Sequence, residues 1–189
     1  GVFVIAAMAA FAGFAVTGLF ASVAPAFLSQ VIGVQNHAVA GAVAATVFIA
    51  AAATQLFAGR IAPQRALVIG CAILVVGMVI LTAALELSSL WGLIAAAIVG
   101  GVGQSICFSR GLAAISELTP PDRRAEISSA YFVVAYVAIS LPVIGEGFAA
   151  RMWGLQTAGA TFAAAVAVLA LVCLAAIVVT ERRKAVVTV

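Results

Sequence analysis

Arg110 stands in the run ICFSRGLAAISEL, about two helical turns before Glu117 if the segment is helical. A permanent charge inside an apolar stretch is costly unless it meets a cavity, a partner or the surface. It can run its long side chain to the nearest polar layer, form a buried pair that fixes the fold, or contact a bound solute directly. On the same stretch Gly100, Gln104, Cys107 and Gly111 recur at spacings of four, three and four, which puts them on one helical stripe. Such a stripe can line a cavity, with the Gln104 amide and the Cys107 thiol as its polar atoms. It can equally be a seam where small residues let helices approach. Further along, Tyr136 and Ser140 lie one turn apart, and Tyr136 can both stack and donate a hydrogen bond. Glu146 stands between two glycines near Arg151, either as a proton carrier or, more simply, as a wetted carboxylate facing that arginine.

None of these residues composes an enzyme signature. GQSIC, residues 103–107, lacks the final glycine of a nucleophile elbow, and the only histidine, His37, is far away along the chain. There is no His-Glu-x-x-His and no Gly-x-x-x-x-Gly-Lys, so zinc proteolysis and ATP hydrolysis lack their residues. Cys71, Cys107 and Cys173 all fall in apolar runs and read as free core thiols, with no metal site and no cofactor implied.

The elements that carry these residues follow from composition. Of 189 residues 66% are hydrophobic and 8% charged, against roughly 25% charged in a soluble domain. So few charges cannot cover a globular surface, and the chain reads as a membrane protein. Runs without charge are long enough for six spans of about 20 residues each. Their limits are 2–28, 37–58, 66–86, 89–116, 128–150 and 156–179, with a tail over 180–189. Strand alternation is absent, so the fold class is all-α, a polytopic transmembrane bundle of six helices.

Arg60, Arg65, Arg123, Arg124, Arg182, Arg183 and Lys184 fall on one side of the spans and only Arg151 on the other. That split predicts cytoplasmic loops at 59–65 and 117–127 and both termini inside. The net charge of +3 sits at helix ends and not on one face, so nucleic acid is not a partner. Tyr131 reads as a member of the interfacial aromatic belt. Spans three and six carry few polar groups and suit the lipid side. Pro142 removes a helical hydrogen bond and, with Gly145 and Gly147, makes the outer end of span five deformable, a candidate gate beside Glu146.

Two loops carry a family resemblance. In ELTPPDRRAEISSAYFVVAYVAISLPVIGEGFAARMWG, residues 117–154, a Pro-x-x-Arg turn (Pro120, Arg123) leads into a helix ending in Pro-x-x-Gly (Pro142, Gly145). The stretch resembles the segment between the tenth and eleventh helices of major facilitator superfamily (MFS) transporters. GRIAPQRALVIG, residues 59–70, resembles that family's short loop motif, with Gly59 where an acidic residue is usual and Ala62 where a glycine is.

The resemblance covers the whole chain as a carboxy-terminal half, spans seven to twelve of a twelve-helix MFS fold. It implies secondary transport of a small solute by alternating access, in the cell (inner) membrane, with a proton as a candidate coupling ion. Spans one, two, four and five would line the cavity. Arg60, Arg65, Arg123 and Glu126 are then candidates for an inner latch, against the simpler reading of loop arginines that set topology. The chain opens with Gly1 and not Met, so an amino-terminal half, or a second copy, is expected as partner besides the lipid bilayer. The alternative is a non-transporting six-helix scaffold or an orphan half.

Overall fold

The structure, a computed structural model, describes residues 2–187, with side chains through Thr180. The expected basic cluster Arg182, Arg183 and Lys184 therefore lies outside the described side chains. The helices are α1 (Val2–Ser22), α2 (Ala24–Phe27), α3 (His37–Ala58), α4 (Pro63–Glu86), α5 (Leu90–Glu117), α6 (Arg124–Trp153) and α7 (Leu155–Val187). A π-helical turn, Leu28–Ile32, closes α2, and a 3-10 turn, Pro121–Arg123, opens α6. No strand occurs among the described residues. Six of the helices are long and apolar enough to cross a membrane, because a spanning segment must satisfy its own amides and carbonyls.

Local chemistry marks the ends. The Asn36 side chain accepts from the Ala38 amide at 2.9 Å and Ser89 from the Gly92 amide at 3.1 Å, each capping the helix that follows. Pro63 opens α4 in the first turn, where its missing amide costs nothing. Gly33 (φ 80°) ends the π turn and Gly154 (φ 83°) ends α6, both in backbone that a side chain would strain. Helices α4 and α6 begin earlier than the apolar runs, at Pro63 rather than 66 and Arg124 rather than 128, since arginine and glutamine continue a helix into the polar layer. The tail expected from residue 180 continues as helix through Val187.

Packing centres on α5, which lies against α4, α3 and α1, while α1 also meets α6 and α7. Glycine lets these backbones touch. A methyl on Gly13 would stand 2.8 Å from the Gln104 Cα, one on Gly77 3.2 Å from the Gly100 amide nitrogen, and one on Gly101 would collide with the Val47 carbonyl. The α4–α7 contact is also extensive, and Gln156 at the start of α7 donates to the Leu85 carbonyl at 2.8 Å, joining the two outer turns. Trp91 and Trp153, at those same turns, are exposed, as interfacial indoles are.

Exposure is uneven among the six spans. Within the apolar windows 61% of α1 and 56% of α5 is buried, against 44% of α4, 33% of α7, 17% of the α6 span and 11% of α3. The helices with the most open surface are therefore α3 and α6, not the apolar spans three and six, α4 and α7. Hydrophobic content does not report burial when lipid solvates an open apolar face as well as a core does.

Candidate solute site and gate

The stripe on α5 is a packing seam. Gln104 is 7% exposed and lies against Gly13 of α1, Cys107 is buried with Gly70 of α4 at its sulfur, and Gly100 faces Val16 and Gly77. Toward the Glu117 end of α5, Gly111 leaves room for the Tyr131 hydroxyl; any Cβ there would collide with it. The lining role expected of Gln104 and Cys107 is thus replaced in this conformation by contact between α5 and its neighbours. Cys71, Cys107 and Cys173 are free and buried, and they bring α4, α5 and α7 into one apolar cluster.

Tyr131 corrects the belt reading. It is fully buried, and its hydroxyl proton is shared among the carbonyls of Phe108 (3.1 Å), Cys107 (3.3 Å) and Ala6 (3.4 Å). Its ring stacks on Phe108, centroids 5.4 Å apart, and Phe108 meets Phe14 edge-on. One phenol thereby ties α6 to α5 and α1. Nothing but its depth two turns into the span distinguishes Tyr131 in sequence from an interfacial tyrosine.

Arg110 is half-buried. Its Nε is enclosed without a hydrogen-bond partner, and no carboxylate among the described residues lies within salt-bridge reach. A guanidinium has five donor hydrogens in a fixed fork, so an enclosed, unpaired Nε is a group prepared for an acceptor. Tyr136 is 67% exposed and Ser140 is exposed beside it, its hydroxyl donating back to the Tyr136 carbonyl at 3.1 Å. The two share the open face of α6 with Val133, Val137 and Leu141, well separated from the seam that holds Gln104 and Cys107.

The loops at 59–62 and 118–123 hold the arginines near them differently from one another. Arg123 forms a two-point pair with Glu126 (3.1 and 3.2 Å), on the first turn of its own helix and exposed, so it joins no second helix. The cross-link is made instead by Arg124, whose Nε donates to the Thr119 carbonyl at 3.2 Å, while Thr119 is buried and donates to Ile115. Arg60 stands over the Phe57 ring, 5.3 Å from its centroid, and Arg65 is exposed; neither meets a carboxylate among the described residues.

At the Trp153 end of α6, Pro142 sits inside the helix without ending it, and Gly145 and Gly147 face open space. Glu146 is neither wetted nor paired with Arg151. It is 4% exposed and Arg151 is exposed, because five residues along a helix turn two side chains about 140° apart.

Six spanning helices, a seam of small residues and a half-buried arginine whose Nε is unpaired describe one bundle of a polytopic membrane protein. The sequence profile of the Major Facilitator Superfamily matches residues 5–188, and the chain belongs to that family. Membership places it among membrane transporters of small solutes. No curated protein matches the sequence.

Proposed function

We propose that the chain is one six-helix half of a secondary transporter that carries a small solute across the cell (inner) membrane by alternating access. Arg110 carries this reading. A guanidinium inside a span, with its Nε enclosed and without an acceptor, is stabilised by a carboxylate of a facing half or by an anionic group of the solute, and a half-bundle lacks the first. The open faces of α3 and α6 suit contact with that second half, an amino-terminal counterpart or another copy, with Tyr136 and Ser140 toward the space between. No nucleotide-binding motif occurs in the sequence, so the driving force is an ion or solute gradient, with a proton as candidate.

The test uses the chain together with a matching amino-terminal half, in cells challenged with a panel of small solutes. Flux is expected to require both halves. Arg110→Leu is expected to abolish or redirect it while the protein still inserts, and Arg110→Lys to restore it poorly, since an ammonium lacks the planar fork. Near-normal flux for the leucine variant, normalised to inserted protein, removes Arg110 from the mechanism.

A further inference from the structure

Beyond Ala138, the described part of α6 has one buried residue, and it is Glu146. Of the rest, Leu141, Ile144, Phe148, Met152 and Trp153 are exposed and Gly145 and Gly147 meet nothing, while Val143 is half-buried against Gly18 of α1. The one fully buried side chain of this segment is therefore a carboxyl.

That side chain lines a small cavity of about 10 Å³, room for at most a single water. Leu19 of α1, Phe27 of α2, Leu81 and Leu85 of α4, Leu93 of α5 and Leu155 of α7 surround it, and Gly159 of α7 leaves the space its oxygen approaches. Every lining residue besides Glu146 is aliphatic, aromatic or glycine, so no titratable or charged group faces it from any of the five packed helices. Neither oxygen has a hydrogen-bond partner among the described residues, and Glu86 and Arg151, the nearest charged residues in sequence on this end, are exposed.

We infer that Glu146 is a proton-binding site that latches the outer half of α6 onto α4 and α7. A carboxylic acid fits this pocket at the cost of one unmade hydrogen bond, whereas a carboxylate would be an isolated charge with neither counter-ion nor donor. Release of the proton therefore accompanies withdrawal of Glu146 into water, which frees the one fully buried side chain of the segment beyond Ala138 and leaves it held by the half-buried contact of Val143 on Gly18. Pro142, one turn before Glu146, leaves the Ala138 carbonyl without its helical donor and supplies the point about which the segment can swing. The ligand is a proton from the outer face, and the device regulates opening at that face. It rests on the transporter reading for its biological use but not for its test, which reads no flux.

The 189-residue chain is placed in lipid nanodiscs with cysteines replacing Glu86 and Met152, both exposed, for spin labels on the outer ends of α4 and α6. Infrared difference spectra are recorded while the pH is raised. The expected result is the carbonyl band of an unbonded carboxylic acid at neutral pH, its loss at alkaline pH, and a lengthened label distance over the same interval. In Glu146→Gln and in Glu146→Met, an apolar isostere that packs without any charge, the band is absent and the distance does not respond to pH. Three results overturn the inference: no acid band in the unsubstituted chain at neutral pH, loss of the band without lengthening, or the same lengthening in either variant. The first two arms need no variant to fold.

Discussion

The Tyr131 hydroxyl has one proton and three carbonyls around it, so its value lies in where it holds three helices rather than in the strength of any one bond. Tyr131→Phe is expected to cost about 1 kcal/mol of unfolding free energy. Gly111→Ala, which drives a methyl into that hydroxyl, costs about 1–3 kcal/mol. The double variant costs less than the sum, because phenylalanine removes the atom the methyl strikes. Reversible unfolding in mixed micelles measures all three, and strict additivity would show that Gly111 and Tyr131 do not meet. At this scale the sequence was partly legible. The cost of a charge inside a span singles out Arg110 from type and depth alone. Pairing of Glu146 with Arg151 was misread because proximity along the chain was taken for proximity in space, and the helical angle between them sends one inward and one outward.

Helices were legible as elements, since an uncharged run of 20 or more residues has one stable conformation in lipid. Their faces were not. In α1, α5 and α7 alanine, valine and glycine occur all round, and lipid is as apolar as a neighbouring helix, so no pattern separates buried from open sides. The glycines differ accordingly. Gly101→Ala meets the backbone of α3 at Val47, which cannot turn aside as a side chain can, and is expected to lose about 1–3 kcal/mol of stability. Gly145→Ala meets nothing, and gains up to about 1 kcal/mol from helix propensity. Thermal unfolding of the two variants in one detergent checks the contrast, and equal shifts would count against the α3–α5 backbone contact.

For the molecule as a whole, the asymmetry of positive charge predicts the orientation. Single cysteines at Gln35, in the turn before α3, and Gln156, in the first turn of α7, both exposed at one end, are expected to react with an impermeant maleimide from outside the cell, and a cysteine at Gln64, exposed at the other end, only after the membrane is opened. Labelling of the residue-64 thiol in intact cells would invert the topology and move the Glu146 pocket to the inner face. The bundle's connectivity has a further consequence, for its biogenesis. The principal neighbours of α1 are α5, α6 and α7, all made later than α3 and α4. On the ribosome α1 must therefore enter lipid before its principal neighbours in this bundle are made. Its sequence suits that interval, with a mean hydropathy of 2.2 and no charge across the helix. Helix α5, the least apolar of the six at 1.7 and the carrier of Gln104 and Arg110, is inserted once α1, α3 and α4 are already present to receive it. The order of synthesis thus lets the helix least able to stand alone arrive where it need not.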